Sequence, residues 1–556
     1  MSPTPSAAEL TNTATAVISP QRAAPGTTVA PPRGRGRVAT AGLVVTGLAV
    51  MLLGYLRMAR GNGTNADGSA NALQAWDMLH GNVGLSGWTL SDVSFYPTEL
   101  VQYALIELFY GLNHDVVHVA AAITYVLLIV FAALVARGDA TGRAAWVRVG
   151  IVVAVMLVPE PHAGWAIVLN VPDHTGTGVP LLLTALLIDR RAALRRWWPV
   201  AVTAVLAVAQ LGDPLAMYIG ALPLATLAIV RLIAAYVRKS EKSGIDAHLL
   251  VAAVASVAIS HAAVRLIGFF GGYRVHQPIA EFTTLAEVPG HLLMLARTTA
   301  VDYGAYFPFL NDHGAALTAV NYAAGAVNLL LMLVALAATI VTITRIFTGT
   351  GPDDRVAQWL AIGVAVNAAA FVASTQAADM ASARQVVAVL PFGAVLAARV
   401  FGDRAALDRS RARKAVAAVL AAVLVTGFTV QAATARPAPA EATEAAHWLE
   451  AHGLKYGLGA YWASHTVTVV TDGRVTVAPV VDQVPRAFHW ESRADSFDPR
   501  RHDARFIIVD RSLEVYGTLS GVVLRFGAPI QQVDLQRWTI LVYDYNLLLN
   551  LPRHRS

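Results

Sequence analysis

The chain has 556 residues, of which 56% are hydrophobic and only 14% are charged, and its mean hydropathy is +0.52. Soluble domains carry about 25% charged residues, so the composition predicts a polytopic membrane protein. The net charge of +6 does not indicate nucleic-acid binding, because the basic residues concentrate in short connectors between apolar segments. The absence of cysteine excludes disulfides, thiolate metal sites and a cysteine nucleophile.

Apolar segments recur along the chain from residue 38 to residue 434. A helix of about 20 apolar residues crosses a bilayer, and on that basis we predict about eleven transmembrane helices. The predicted spans lie at 38–56, 116–134, a stretch ending at 159, a short stretch ending at 189, 199–211, 215–235, 248–270, 318–343, 356–374, 385–401 and 415–434.

The first 30 residues are rich in Ala, Pro, Thr and Ser, and residues 1–37 are predicted to be a disordered cytoplasmic tail. Placing every arginine cluster in the cytoplasm predicts the orientation of the spans. The polar segments 61–113, 160–177 and 271–314 then lie outside, together with the C-terminal block 435–556. We therefore predict a multi-pass protein of a bacterial plasma membrane, with a cytoplasmic N-terminus and a membrane domain over 38–434.

The C-terminal block has the composition of a soluble domain. A helix is predicted over 441–452, and the alternating runs 466–471 and 475–480 around Asp472-Gly473 favour a β-hairpin. Further strands are predicted at 505–509, 522–526 and 538–543. The predicted fold class is an all-α polytopic membrane bundle with a small extracytoplasmic α/β domain.

Acidic residues in the outer segments are candidates for chemistry. Asp67 follows the first span, and a carboxylate at the mouth of a helix bundle suits a general base, although a loop position or a helix cap also fits. Asp173 and His174 pair an acid with an imidazole beside a span end, although Asp173 also suits helix capping. Asp213 lies in Gly212-Asp213-Pro214, which is good turn chemistry.

Basic residues near the outer face are candidates for binding an anion. Arg384 directly precedes the tenth span, Arg265 lies late in the seventh, and Arg274 and His276 follow it. A guanidinium suits bidentate binding of phosphate or pyrophosphate, whereas snorkelling to the interface is the alternative for each arginine. Tyr303 lies in the same outer segment, where stacking on a sugar and membership of an aromatic belt are both open.

The segment His114-Asp115-Val-Val-His118 resembles the zinc-protease pattern His-Glu-x-x-His. Asp replaces Glu, however, and no third ligand is evident in the sequence. The sequence also contains no Walker A loop, no Gly-x-Ser-x-Gly elbow and no dinucleotide fingerprint. ATP-driven transport and cytoplasmic nucleotide-sugar chemistry are therefore unsupported.

Together these features resemble the GT-C superfamily of integral-membrane glycosyltransferases, such as protein mannosyltransferases and aminoarabinose transferases. The resemblance rests on the first span, Asp67, the segment 94–103, Asp173, and Arg384 before a Pro-containing span. Family members often carry two adjacent acids in the first loop, but here Gly68 follows Asp67. A divalent metal, Mg²⁺ or Mn²⁺, is therefore left open, and no metal ligand is assigned.

The resemblance implies transfer of a hexosyl or pentosyl unit from a polyprenyl-phosphate sugar to an outer glycan, lipid or protein, with inversion. Asp67 would accept the proton of the acceptor hydroxyl, and Arg384 would stabilise the departing lipid phosphate. The remaining members of the implied site are Asp173 as a second catalytic acid, and His174, Arg265, Arg274, His276, Tyr303 and Glu99 as substrate-binding residues.

Two other functions fit the sequence less well. A flippase or transporter of a lipid-linked sugar would explain the spans and the interfacial arginines. It would not explain why all the long loops lie on one side, and no internal repeat is evident. A non-enzymatic envelope scaffold would leave Asp67, Asp173 and Arg384 free to change without consequence.

Overall fold

The computed structural model describes residues 33–170, 173–239, 244–276, 281–310, 315–408 and 410–552. Residue contacts divide the chain into two units, Met1–Ala49 and Val50–Ser556. Most of the predicted N-terminal tail lies outside the described residues. Its end, residues 33–37, belongs to the first helix.

Helices form most of the described chain, because in lipid every backbone polar group must be satisfied within the segment that carries it. In chain order they are α1 (Arg33–Ala59), α2 (Ala66–Leu79), α3 (Glu99–Tyr110), α4 (Asp115–Arg137), α5 (Gly142–Met156), α6 (Ala163–Val168), α7 (Asp173–Asp189), α8 (Arg191–Leu194), α9 (Trp198–Gly212), α10 (Leu222–Val237), α11 (Gly244–Phe269), α12 (Val288–Asp302), α13 (Ala315–Thr348), α14 (Arg355–Ala373), α15 (Val389–Leu407), α16 (Arg411–Thr434), α17 (Thr443–Ala451), α18 (Tyr461–Val470) and α19 (Leu519–Phe526).

Eight helical segments among the described residues are long and apolar enough to cross a membrane. They lie at α1, α4, α8–α9, α10, α11, α13, α14 and α16. The other three predicted spans coincide with α5, α7 and α15, but α5 has 15 residues and α7 has 17. A full crossing needs about 20 residues. The predicted helical bundle is therefore confirmed, whereas the predicted number of spans is not.

Helix α15 lies within the core of the bundle and packs against α4, α5, α13 and α14. Its side chains Leu390, Phe392, Val395 and Leu396 are at most 1% exposed. The small residues Gly393, Ala394, Ala397 and Ala398 let neighbouring helices approach closely, as is usual in membrane bundles. The segment that carries Arg384 comes directly before this fixed helix.

The C-terminal part forms a six-stranded sheet in the order β5-β4-β3-β7-β9-β8. The strands are β3 (Tyr456–Ala460), β4 (Thr476–Val481), β5 (Arg486–Ala487), β7 (Phe506–Asp510), β8 (Gln531–Asp534) and β9 (Trp538–Val542). Strand β3 is parallel to β4 and β7, and α18 connects β3 to β4. The predicted α/β character is therefore confirmed, with strands where 505–509 and 538–543 were predicted.

Two strand predictions in this part are wrong. Residues 466–470 of the first run belong to α18, and 522–526 belongs to α19. The β-branched residues of α18 are buried against α2 and β4, so tertiary packing overrides their strand propensity. Asp472 and Gly473 do form a turn at positive φ, but it ends a helix instead of joining two strands.

Candidate active site

A small sheet joins three distant polar segments of the chain. Its central strand β1 (Trp88–Leu90) is parallel to β2 (Arg274–Val275) and antiparallel to β6 (Ser492–Arg493). The end of β1, the end of β2 and the start of β6 therefore meet at one edge. Asp92, His276 and Glu491 follow or precede the strands at that edge.

Asp67 lies in the first turn of α2, near this edge. The N-cap role that the sequence left open for Asp67 is filled by Asn65, whose side chain accepts a hydrogen bond from Gly68 N at 3.0 Å. The Asp67 side chain is therefore available for another partner. Its Oδ1 accepts a hydrogen bond of 2.5 Å from the hydroxyl of Tyr461, the first residue of α18.

Three surrounding groups from different parts of the chain act on the charge of Asp67. Burial raises the pKa of Asp67 above its usual value, and the nearby Asp92 carboxylate raises it further. The hydrogen bond from Tyr461 and the positive charge of Arg384 act in the opposite direction on this pKa. A carboxyl whose pKa is raised towards neutrality is suited to general base catalysis.

Arg384 is therefore within electrostatic range of Asp67. It lies in the short 3₁₀ helix Met380–Gln385, and its side chain is exposed. Asp379 and Ser382 form a capping box that fixes the start of this helix. The guanidinium thus projects from a rigid support beside the carboxylate.

The hydroxyl of Tyr461 has a second carboxylate partner, Glu491 Oε2. Glu491 is 3% exposed and directly precedes β6. A third carboxyl, Glu441, lies close enough to Asp67 for the charge of Asp67 to act on its pKa. Burial raises the pKa of Glu441 to about 7, Arg537 opposes the rise, and Asp67 and Asp510 add to it. Asp67 and Glu491 thus share the hydroxyl of Tyr461, and a third carboxyl, Glu441, lies near Asp67.

Sequence reasoning missed Tyr461, Glu491 and Glu441 as site residues. All three lie in or beside the C-terminal domain, and Tyr461 is 394 positions from Asp67. No local spacing predicts such a contact. The one available signal was the predicted location of this domain on the same side as the first outer segment.

Half-buried aromatic rings from the C-terminal domain lie next to Tyr461. The rings of Phe488 and Trp490 are nearly parallel, with 5° between their planes and 6.3 Å between centroids. Phe488 contacts Tyr461 edge-on at 5.7 Å, and Trp490 contacts His276 at 5.0 Å. His276, predicted to bind substrate, is therefore at this edge, where it supports an aromatic surface.

A second group of predicted residues meets at the start of α7. His174 Nδ1 lies 2.8 Å from Asp213 Oδ2, and Thr177 donates a hydrogen bond to the same oxygen. Asp213 Oδ1 also accepts a hydrogen bond from Leu215 N at 2.8 Å. Asp213 therefore stabilises the predicted turn and also holds the imidazole of His174.

Glu99 lies against the same turn of α7. A Cβ atom at Gly176 would be 1.9 Å from Glu99 Oε1, so only glycine allows this approach. The structure thus places Glu99 against the first turn of α7, which also carries His174. The side chain of Asp173 lies outside the described part of the structure.

The remaining predicted residues have other surroundings. Tyr303 is 3% exposed and donates a hydrogen bond of 2.9 Å to Val389 O, so it fixes the first turn of α15. Arg265 is exposed on α11, and Arg274 is exposed on β2. These three stay predictions as substrate-binding residues.

Asp115 and His118 of the segment that resembles the zinc-protease pattern form hydrogen bonds with other parts of the chain. Arg60 donates two hydrogen bonds to Asp115, at 2.7 and 2.6 Å, and His118 Nε2 lies 3.0 Å from Asn62 O. Within the described residues, no group of three or more His, Asp or Glu side chains could hold a metal ion. The divalent metal left open by the sequence is therefore assigned no ligands.

No family model matches the sequence, and no curated protein matches it. Solved structures do match the fold. ArnT from Cupriavidus metallidurans bound to undecaprenyl phosphate is 14% identical, with 91% of this chain and 99% of that chain covered and a TM-score of 0.54. The Archaeoglobus fulgidus oligosaccharyltransferase tethered with an acceptor peptide is also 14% identical, with 84% and 69% covered and a TM-score of 0.48. The chain therefore shares the fold of the ArnT structure.

Proposed function

We propose that this protein is a membrane glycosyltransferase that moves a sugar from a polyprenyl-phosphate donor to an acceptor hydroxyl. The observation that supports this most strongly is the half-buried carboxylate of Asp67 within electrostatic range of the exposed residue Arg384. The fold adds support, because the ArnT structure that shares it contains undecaprenyl phosphate.

Asp67 acts as the base. Tyr461 occupies Oδ1, and within the described residues no hydrogen bond is made to Oδ2, which is left for the acceptor hydroxyl. As the acceptor oxygen forms its bond to the anomeric carbon, its proton moves to Asp67. The bond from that carbon to the phosphate oxygen breaks with its electron pair, and the configuration inverts.

Arg384 stabilises the leaving group. Negative charge builds up on the lipid phosphate as the glycosidic bond breaks, and a guanidinium can bind two phosphate oxygens at once. Its position on a capped 3₁₀ helix before the buried helix α15 holds the charge in place before reaction. Preorganised charge of this kind lowers the barrier without a reorganisation cost.

The acceptor is proposed to be a carbohydrate. The faces of Phe488 and Trp490 are parallel and half-buried, and they lie close to Tyr461, whose hydroxyl bonds Asp67. A sugar ring has an apolar C–H face that stacks on aromatic rings and hydroxyl groups that bond carboxylates. This combination favours an outer glycan or glycolipid over a peptide acceptor.

The orientation and the membrane of residence remain proposals. The arginine-rich connectors favour a cytoplasmic N-terminus, with the site at the outer face of a bacterial plasma membrane. The strands β1, β2 and β6 support a common side for their three segments, because they form one sheet.

The test is transfer from labelled polyprenyl-phosphate sugars by the purified protein in lipid nanodiscs. Asp67→Asn should reduce release of the sugar by about 10²- to 10⁴-fold, because the amide cannot accept the proton. Asp503→Asn, which changes an exposed carboxylate of the C-terminal domain, is the matched control and should leave release unchanged. Full release by Asp67→Asn would overturn the assignment of the base. Donor binding without turnover in the wild-type protein would favour the flippase.

A further inference from the structure

We propose that Glu491 is a protonated carboxylic acid that donates a hydrogen bond to Tyr461, while Tyr461 donates to Asp67. The C-terminal domain would thereby hold the base ionised and correctly oriented. Glu491 and Tyr461 are then positioning residues for the transfer reaction. This inference rests on the proposed role of Asp67 and adds two residues that no sequence pattern indicated.

The number of available protons requires such an arrangement. Tyr461 Oη lies 2.5 Å from Asp67 Oδ1 and also bonds Glu491 Oε2. A phenol has one proton and can donate it to one of these oxygens. The other contact needs a proton of its own, because two carboxylates that share a site do not both ionise.

The surroundings indicate which carboxyl group holds that proton. Glu491 is 3% exposed, and burial disfavours its charged form. Asp67 is less buried and lies in the field of Arg384, which favours its charged form. The proton therefore belongs to Glu491, and the chain of donors runs from Glu491 through Tyr461 to Asp67.

Other titratable groups face this chain from several elements. His465, one turn after Tyr461 on α18, has its pKa lowered to about 4 by burial and is therefore neutral near pH 7. It supplies no positive charge that could keep both carboxyl groups ionised. Further titratable groups near the chain, among the described residues, are Asp92, Glu441, Tyr516, His276 and Arg384.

The backbone at Glu491 is an independent observation. Glu491 has φ of +49°, in the left-handed region that few residues other than glycine occupy. The next residue, Ser492, is paired with Thr89 of β1, so the strand register fixes the position of this unusual residue. Such backbone strain is typical of functional positions, where it aims a side chain. Here it holds the Glu491 carboxyl at the hydroxyl of Tyr461.

The chain of donors has a chemical consequence for pH dependence. Tyr461, held by Glu491, keeps Asp67 Oδ1 occupied, and the acceptor proton goes to Oδ2. When Glu491 loses its proton at alkaline pH, it ceases to donate, and its charge repels that of Asp67. Activity should therefore fall on the alkaline side of the pH profile. A glutamine at position 491 keeps a donor that does not titrate in this range.

The test compares pH profiles of transfer by the full-length protein and its variants. Glu491→Gln should keep activity within about threefold and lose the alkaline fall, whereas Glu491→Ala and Tyr461→Phe should lower kcat by about 10- to 100-fold with little change in donor KM. Glu514→Gln, an exposed glutamate of the same domain, is the matched control. Wild-type profiles in Tyr461→Phe, or equal losses in Glu491→Gln and Glu491→Ala, would overturn the proposal.

A second readout does not depend on activity. A protonated carboxylic acid has an infrared carbonyl band that shifts in D₂O. The wild-type spectrum minus the Glu491→Gln spectrum near pH 7 should contain such a band, and subtraction removes the bands of other protonated carboxyl groups such as Glu441. A difference spectrum without this band would overturn the inference. If the wild-type protein transfers no sugar, the proposed function fails, but the infrared band still tests the protonation of Glu491. Binding of undecaprenyl phosphate and thermal unfolding show whether each variant folds.

Discussion

Two clusters of charged residues lie at opposite ends of the helix bundle and use their charges differently. His174 is near the start of α7 and Asp189 is at its end, about 22 Å apart at the rise of an α-helix. At the Asp189 end, Arg399 donates two hydrogen bonds to Asp189 and two to Asp354. At the other end of the bundle, Asp67 shares one tyrosine hydroxyl with another carboxyl.

The difference separates stability from chemistry. Carboxylates that receive two hydrogen bonds from a guanidinium are fully satisfied, so they hold helices together and have little capacity to react. A carboxylate that is shielded from water but receives no such pair of hydrogen bonds from a guanidinium has a raised pKa, and it can accept a proton near neutral pH. We therefore expect substitutions at the two ends to affect different measurements.

The largest effect is expected from Arg399→Ala. This change leaves the half-buried Asp189 and Asp354 without their guanidinium. Breaking a fully buried ion pair costs about 3–5 kcal/mol, so we expect a cost of about 3 kcal/mol for this partly exposed cluster. Thermal unfolding in detergent should occur at a much lower temperature. Arg404→Ala, which removes an exposed arginine from the same helix, should change the midpoint little. Equal midpoints for the two variants would contradict a structural role for this cluster.

Arg384→Gln should show the opposite pattern. Removal of the charge that stabilises the leaving phosphate should lower kcat/KM by about 10²- to 10³-fold, with the unfolding midpoint nearly unchanged because the side chain is exposed. Arg274→Gln is the comparison, since Arg274 was also predicted to bind phosphate and is exposed on β2. A larger loss in Arg274→Gln would transfer the phosphate role to that residue.

Much of the fold could be predicted, because long apolar segments and arginine-rich connectors are local properties. The number of spans was less secure, since α5 and α7 are shorter than a bilayer crossing. The predicted hairpin around Asp472-Gly473 failed for a different reason. A turn signal shows where the chain reverses, but it does not show whether a helix or a strand precedes it.

The candidate site was predictable only in part. Asp67 and Arg384 stand beside span ends, where a carboxylate or a guanidinium is conspicuous in the sequence. Tyr461 and Glu491 are ordinary residues of a soluble domain, and they reach Asp67 through strand pairing and helix packing between segments far apart in sequence. Their role depends on tertiary structure, and the sequence contains no local sign of it.

Gly176→Ala should produce a smaller, local effect at the predicted substrate-binding group. The new Cβ would overlap the Glu99 carboxyl, and forced overpacking of this kind costs about 1–3 kcal/mol. The unfolding midpoint should fall moderately, and donor KM should rise if Glu99 and His174 bind substrate. Gly150→Ala is the control, because a Cβ there meets no atom within 4 Å. An unchanged KM would assign this group to packing alone.

The smallest effect is expected from Glu441→Gln, and it depends on pH. Burial raises the pKa of Glu441 from 4.5 to about 7, with Asp67 and Asp510 adding to the rise and Arg537 opposing it. The folded protein therefore binds this proton more tightly than the unfolded chain. The free energy of unfolding therefore contains a contribution from this proton that is fully present below pH 4.5 and is lost as the pH rises through about 7. When the pH is raised from 5 to 8, the thermal unfolding midpoint of the wild-type protein should decrease by more than that of Glu441→Gln. Glu450→Gln, which changes an exposed glutamate, is the control. Parallel midpoints across this range would show that Glu441 is ionised at all of these pH values, and the carboxyl groups near Asp67 would then be as well matched as those around Arg399.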